Sequence, residues 1–385
     1  MNVLVCNAGS TSLKMKLYRM PAEEILAECK MDRIGDATGS TFSYQDEYKK
    51  VERNLVLEDY AAGLSIFCEE LGEAQLGDIS AVGFKTVLAK GFTGVHKINA
   101  AVLAGMEEYL PVAPIHNTCY MEVIRVFQAR LPDIPLIGAF ETAFHETLGP
   151  EAYLYSVPYE WYETYGIRKY GYHGASHAYV ADVLNEKMGH AYRAVSCHLG
   201  GSSSLCAIVD GKSIDTSFGL SLQVGVPQGS RNGDIDPFLI FYLLEKGLSL
   251  NEIKQQLEEN GGLLGISGVS GDMRDLQNAA SAGNERAGLA IDIYCREIAR
   301  YIGGYTALMG GLDVVAFTGG VGENSSHVRE KVLSYLTFLG MGMLQDAKRG
   351  KISKITGEDS RIAAYVIPAN EELGVARKTY AALQG

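Results

Sequence analysis

The feature that most constrains this chain is a pattern carried twice, about half a chain apart. "VLVCNAGSTSLKMKLY" (residues 3–18) and "VSCHLGGSSSLCAIVDG" (residues 195–211) both read as strand, Gly/Ser turn, strand. Cys6-Asn7-Ala8-Gly9 lies against Cys197-His198-Leu199-Gly200. After one extra glycine, Gly201, Ser10-Thr11-Ser12-Leu13 lies against Ser202-Ser203-Ser204-Leu205. In the first copy the apolar run Val3, Leu4, Val5 predicts a strand that stops at Asn7, with a second starting at Leu13. That turn is longer and more polar than a plain hairpin, which needs two residues. Closely spaced N–H groups in a Gly/Ser turn form a nest for anions, and hydroxyls add donors. Two such turns on duplicated, facing domains suit a polyphosphate, with Lys14 as a supporting charge and Asn7 as a metal or phosphate contact.

Composition narrows the class. At 385 residues the chain is long for one domain, so two are expected. An apolar fraction of 47% supplies core material, and a net charge of −12 argues against nucleic-acid or membrane-surface binding. Seven cysteines, odd in number and without C-x-x-C, read as reduced thiols of a cytoplasmic protein. The opening residues do not read as a basic, apolar leader, and without a run of about 18 apolar residues no membrane span is expected. Strand-like and helix-like runs alternate, which predicts an α/β fold. Tyr60, Leu64, Phe67, Cys68 and Leu71 share one helix face, and residues 81–84 follow as a strand. Val123, Ile124, Phe127 and Leu131 precede a strand over 136–140. Ile291, Tyr294, Cys295, Ile298 and Ile302 line a later helix before a buried strand over 314–318. Residues 146–151 are the expected domain boundary.

Three further stretches carry chemistry. "AFTGGVGENSS" follows a buried strand and precedes a helix expected to begin near Ser325 or Ser326, and its glycines allow close backbone approach to a nucleotide. Gly320 and Gly322 match only part of G-x-G-x-x-G, and no Walker A is present, so a nicotinamide dehydrogenase is disfavoured. "YGYHGASH" places His173 and His177 four apart, without the glutamate or cysteine ligands of a zinc site. "QGSRNGDIDP" puts Arg231 in a glycine-flanked turn. Phosphoryl transfer needs positive groups on the phosphoryl oxygens and a divalent metal. Arg231, His173 and His198 suit the first need, and Asn7, Glu141 and Glu371 the second.

Over essentially its whole length the chain resembles the acetate kinase family, of the acetate and sugar kinase, Hsp70 and actin superfamily. The resemblance rests on "NAGSTSLK", "APIHN", "TAFHETL", "VPYEWYETYGIRKYGYHGASH", "CHLGGSSS", "DTSFG", "GSRNGDIDP", "LLGISGVSGDMRD", "FTGGVGENS" and "PANEE". It implies two duplicated actin-like (ribonuclease H-like) α/β domains with an interdomain nucleotide cleft. Residues 1–146 with 374–385 would form the carboxylate and phosphate side, and 147–373 the nucleotide side. The implied reaction is reversible transfer of the ATP γ-phosphoryl group to a short carboxylate, giving ADP and an acyl phosphate. Asn7 and Glu371 would hold Mg2+ (or Mn2+) from opposite sides of the cleft, while Ser10, Ser12 and Lys14 line the phosphate turn. His173 and Arg231 would hold the moving phosphoryl group. His198, Gly200, Gly201 and Ser202 would meet nucleotide phosphates. Asp272, Met273, Arg274, Gly320, Val321, Gly322 and Asn324 would form the adenosine pocket. The family expectation is a homodimer.

The departures lie on the carboxylate side. The family's His-Arg-Val-Val-His-Gly-Gly reads Phe84-Lys85-Thr86-Val87-Leu88-Ala89-Lys90, so the active-site arginine becomes Lys85 and loses its planar fork. The catalytic aspartate becomes Glu141, and the asparagine after His-Leu-Gly becomes Gly201. In the substrate pocket a phenylalanine becomes Tyr172 and a proline Leu222, while Val87 and Ile115 stay apolar. These changes imply an acyl kinase with a shifted acid or a lowered rate, the hydroxyls of Tyr172 and Thr86 being placed to pair with a substituent. The competing expectation is an ATP-binding regulatory paralogue without turnover.

Overall fold

The computed structural model describes every residue except Ser10 and Gly385, together with all side chains except that of Ile115. The expectations for Ser10 and for the Ile115 side chain therefore lie outside the described residues. The chain divides into two compact units, one of Met1–Ala143 with Asn370–Gly385, the other of Phe144–Ala369.

The first unit holds an eight-stranded sheet. Its strands are β1 (Asn2–Gly9), β2 (Ser12–Arg19), β3 (Glu24–Asp32), β4 (Ser40–Asp46), β5 (Lys50–Leu55), β6 (Ile79–Phe84), β7 (Val95–Lys97) and β8 (Leu136–Ala139). They lie in the order β5-β4-β3-β2-β1-β6-β8-β7. Val3, Leu4, Val5 and Cys6 are all fully buried, the mark of a central strand covered on both faces. The helices Pro114–Arg130 and Glu371–Gln384 pack against β1. β2 alternates, with Leu13, Met15 and Leu17 buried and Lys14 exposed, because one sheet face there meets solvent.

The second unit holds a six-stranded sheet of β9 (Arg193–Leu199), β10 (Ser203–Val209), β11 (Lys212–Thr216), β12 (Val314–Thr318), β13 (Ser353–Lys354) and β14 (Ala363–Val366). The order is β11-β10-β9-β12-β14-β13. The helix Glu285–Leu308 buries Ile291, Tyr294, Cys295, Ile298 and Ile302 among Val195, Cys197, Val315 and Phe317. Each large apolar side chain so buried stabilises the unit by about 1.5–3 kcal/mol.

The duplication is visible strand by strand. In β3-β2-β1-β6-β8 and in β11-β10-β9-β12-β14 the first two pairings are antiparallel and the last two parallel. All seven cysteines are free and buried, and burial pushes the Cys6 and Cys197 thiols up, away from reactivity. Among the described residues no helix is long and apolar enough to cross a membrane.

Three sequence expectations are corrected. β1 runs on to Gly9 and β2 starts at Ser12, with Gly9 opposite Ser12, so the long polar turn is a short one. Small side chains let the ladder continue past Asn7, and the Tyr60 hydroxyl donates to the Gly9 carbonyl at 2.5 Å. The units part between Ala143 and Phe144, ahead of 146–151, because Phe144 packs into the second core and His145 bonds Ser213 there. The chain returns to the first unit at Asn370 rather than at residue 374, since Glu371–Gln384 is one continuous helix. Glu371 thus shares a unit with Asn7.

Candidate active site

In the first unit the carboxyl ends of three neighbouring parallel strands supply the site, the usual place for ligands in open α/β sheets. Asn7 is near the end of β1, cross-strand from Lys14. Lys85 directly follows β6, its N–H donating to the Cys6 carbonyl at 3.3 Å. Glu141 follows β8, its N–H donating to the Thr86 carbonyl at 2.9 Å. Glu371 opens the last helix.

Lys85 Nζ lies 2.5 Å from Glu371 Oε2 and 3.1 Å from Glu141 Oε1, and the three side chains are only 16%, 12% and 5% exposed. Burial alone pulls the ammonium's pKa down, but Glu141 and Glu371 more than reverse this and hold it well above the usual lysine range. Asn7 is fixed separately. Tyr120, on the helix Pro114–Arg130, donates its hydroxyl to Asn7 Oδ1 at 3.1 Å and accepts the Ala8 N–H at 3.2 Å. Asn7 Nδ2 donates to Glu372 Oε1 at 3.4 Å. The acid that touches Asn7 is therefore Glu372, and Glu371 instead pairs with Lys85. Val87 is buried beside Lys85 in sequence, and the buried Thr86 hydroxyl has no hydrogen-bond partner among the described residues. Ser12 is half-buried at the start of β2.

In the second unit four histidines gather. His173 precedes the helix Gly174–Met188 at φ 55°, a left-handed conformation costing a non-glycine residue about 1–3 kcal/mol. Gly171, at φ +71°, sits where a Cβ would come within 2.6 Å of the His145 ring, so only glycine fits. His173 and His198 ring centroids are 4.1 Å apart. His173 Nδ1 meets Ser204 Oγ at 2.8 Å, and His198 Nδ1 meets Ser176 Oγ at 2.8 Å. His177 is fully buried between Ser196 Oγ at 2.8 Å and Ser204 Oγ at 2.9 Å.

Burial first, then the His145 and His198 charges, hold the His177 pKa well below its usual 6.5. The unfolded chain takes up a proton near pH 6.5 that the folded ring refuses. Stability from this site is therefore complete above that pH and falls as pH drops below it, by up to about 1.4 kcal/mol per pH unit. Urea denaturation stepped from about pH 8 to about pH 5 is expected to lose stability more steeply in the parent than in His177→Gln. Equal slopes would remove His177 as the cause.

The turn after β9 leads to the arginine. Ser202 Oγ donates to Gln228 Oε1 at 2.8 Å, and Arg231 Nη1 donates to both, at 3.2 Å to Gln228 and 3.3 Å to Ser202. Gln228 Nε2 donates to the carbonyl of the buried Leu222 at 2.7 Å. The Gly229 N–H donates to the Gly201 carbonyl at 3.0 Å. Burial lowers the Arg231 pKa, with Glu258 opposing, yet a guanidinium stays charged. Gly319, at φ +78°, is where a Cβ would meet the Leu199 carbonyl at 2.7 Å, so β12 brings the third glycine cluster against the turn that carries Gly200.

That cluster is itself helical over Gly319–Asn324, earlier than expected, with Asn324 Nδ2 donating to the Gly320 carbonyl at 2.9 Å. Ser325 then caps the helix Ser326–Ser334. A cavity of about 450 Å³ opens here, lined by Gln277, Ala280, Ser281, Asn324, Ser325 and His327. Gln277 Nε2 donates to Ser325 Oγ at 2.8 Å, which ties in the helix Met273–Ser281. Met273 is buried in the core, whereas Val321 is only partly buried against it. Asp272 caps that helix, and its carboxyl is held down to about 2 by hydrogen bonds from Arg274. Asp272 and Arg274 are bound to each other.

One expectation fails here. The Tyr172 hydroxyl donates to the Leu220 carbonyl at 2.5 Å and the residue is fully buried, so it does not present a hydroxyl to a substrate substituent. Residues that sequence reasoning passed over are Tyr120, Gln228, Ser204 and Glu372. Tyr120 had a signal, falling one helical turn beyond Asn117 on the buried face of its helix.

A model of the acetokinase family matches residues 2–377. The chain is 41% identical over 392 residues to the acetate kinase of Carboxydothermus hydrogenoformans, covering 98% of each chain. Among solved structures it resembles the acetate kinase of Porphyromonas gingivalis (35% identity, TM-score 0.89, 99% of each chain). A propionate kinase from Francisella tularensis matches as well (33% identity, TM-score 0.91, 98% of each chain).

Proposed function

This chain belongs to the acetokinase family and is a phosphotransferase with a carboxyl group as acceptor, and from that premise we propose how its residues divide the work. ATP and a short carboxylate are the substrates, and ADP and the acyl phosphate the products. The observation that carries the reading is the buried Lys85, Glu141 and Glu371 group at the strand ends beside Asn7.

The donors around that group are all oxygen: two carboxylates and the Asn7 amide. They suit a hard divalent cation such as Mg2+, or Mn2+, which commonly takes one or two carboxylates and completes its shell with substrate phosphate and water. Asn7, Glu371 and Glu141 would hold the ion, which when bound neutralises charge on phosphate oxygens. Lys85 holds both carboxylates close together, and it competes with the cation for them. Tyr120 orients the Asn7 amide so that its position does not depend on the ligand. Arg231 and His173 meet charge on the moving phosphoryl group. The turn of Gly200, Gly201 and Ser202, with His198, receives nucleotide phosphates, and the cavity beside Asn324 receives adenosine. Within the first unit, Val87 is the apolar residue proposed for the acid's apolar end. Phosphoryl transfer asks for such positioning and charge rather than covalent work by the protein.

Hydroxylamine trapping of acyl phosphate with ATP and Mg2+ tests this reading across acetate, propionate and hydroxy-substituted acids. Product is expected with acetate or propionate, and absence of product with every acid would sink it. The buried Thr86 hydroxyl supports a polar substituent on the acid. Thr86→Val is then expected to cost the hydroxy acid more than acetate in kcat/KM.

A homodimer is part of the proposal. Phe238, Phe241 and Tyr242 are 72%, 58% and 58% exposed on the helix Phe238–Glu245, an apolar surface of the kind that marks association sites. Phe238→Asp with Phe241→Asp is expected to halve the mass seen by light scattering. A parent that is already monomeric would refute the dimer.

A further inference from the structure

We propose that Ser204, His177 and Ser196 are positioning residues that hold His173 in the tautomer carrying its proton on Nε2. The inference deepens the reading of His173 as a phosphoryl-holding group and rests on it.

The four residues form one chain of hydrogen bonds, Ser196 Oγ to His177 Nδ1, His177 Nε2 to Ser204 Oγ, and Ser204 Oγ to His173 Nδ1. Ser196, His177 and Ser204 are completely buried, so water supplies no alternative partner. Neighbouring titratable groups are the imidazoles of His145 and His198, with rings 5.9 Å and 6.5 Å from that of His177. Both disfavour a charged His177, which is neutral at physiological pH. A neutral imidazole has one donor nitrogen and one acceptor.

Only two directions are then consistent along the chain. In the first, Ser196 donates to His177 Nδ1, His177 Nε2–H donates to Ser204, and Ser204 donates to His173 Nδ1. Every hydrogen in the chain has an acceptor, and His173 carries its own on Nε2. In the second, all the bonds reverse. His173 Nδ1–H donates to Ser204, Ser204 to His177 Nε2, and His177 Nδ1–H to Ser196. The Ser196 hydroxyl hydrogen then needs a further acceptor, yet among the described residues His177 is the sole hydrogen-bond partner of Ser196 Oγ. A buried donor left unsatisfied is disfavoured. The first direction wins.

The consequence is chemical. With its hydrogen on Nε2, a neutral His173 can donate to a phosphoryl oxygen without first taking up a proton. Protonating His173 requires a hydrogen on Nδ1, which faces the Ser204 hydroxyl hydrogen and forces the whole chain to reverse. The Nδ1 contact with Ser204 Oγ at 2.8 Å holds the ring in its place in the chain.

The test is nitrogen NMR of histidine-labelled protein, with His173 assigned by its loss in His173→Asn. In the parent, Nδ1 of His173 is expected to have the pyridine-type shift and Nε2 the pyrrole-type shift. A protonated Nδ1 overturns the proposal outright, whatever the role of His173 in transfer. Ser196→Ala, three hydrogen bonds away from His173, removes the hydroxyl that selects the direction. Its His173 signals are expected to move to averaged positions, with kcat lowered roughly 10- to 100-fold and the KM for ATP near the parent's. Thermal melting confirms that the variant is folded. An unmoved tautomer in folded Ser196→Ala overturns the relay. A moved tautomer with parental kcat upholds the relay and removes His173 from the transfer step.

Discussion

Arg231→Ala will still bind ATP and will lose turnover by a factor on the order of 10²–10³. Among the described residues only Nη1 of the guanidinium is engaged, by Ser202 and Gln228. Those two bonds aim the fork and leave Nε and Nη2 to the substrate. The charge they meet grows in the transition state, so removing it raises the barrier more than it weakens ground-state binding. Arg231→Lys returns a point charge without the planar donor pair and is expected to recover only part of the loss. Isothermal titration with ATP and initial rates on the same preparations separate the two effects. Near-parental turnover in Arg231→Ala excludes the assignment. A loss of ATP affinity equal to the loss of rate makes Arg231 a binding residue instead.

The sequence made the architecture legible where its signals were local and repeated. The strand and Gly/Ser turn pattern at residues 3–18 and 195–211 marks the hairpins β1–β2 and β9–β10, and their shared sheet topology is the duplication that it predicted. The helical stripe Ile291 to Ile302 and the buried run at β12 also follow from periodicity. What the sequence concealed depends on contacts between distant segments. Lys85, Glu141 and Glu371 are far apart in the chain, and nothing in their spacing says that one ammonium joins both carboxylates. The choice between Glu371 and Glu372 as the neighbour of Asn7 is a matter of which helical direction each faces. The helical pitch settles that only once the helix start is known. Tyr172 shows the opposite limit. A new hydroxyl in an apolar pocket read as a specificity group, and a backbone carbonyl, invisible in sequence, accepts its bond.

Lys85→Met is expected to unfold far more easily than the parent in the absence of divalent metal, by about 3–5 kcal/mol. The ammonium is the shared counter-ion of two carboxylates that are 5% and 12% exposed. Methionine keeps roughly the length and removes the charge, so Glu141 and Glu371 lose the ammonium that they share. Such a pair relieves its repulsion by keeping one proton, and the pKa of one carboxylate should rise. The variant therefore gains stability as pH falls through that raised value, the reverse of an ordinary carboxylate pair held apart by a cation. Magnesium offers a second relief. If Asn7, Glu371 and Glu141 are its ligands, Mg2+ should restore much of the lost stability in Lys85→Met and add less to the parent, where the ammonium competes for the same oxygens. The measurement is a thermal melt of both proteins across a magnesium titration, with calcium as a larger control ion. Turnover is expected to fall in the variant even at saturating metal, because the carboxylates lose their fixed spacing. A melting temperature in Lys85→Met that ignores magnesium would show that these carboxylates do not hold the ion, and the metal assignment would then have to leave this group.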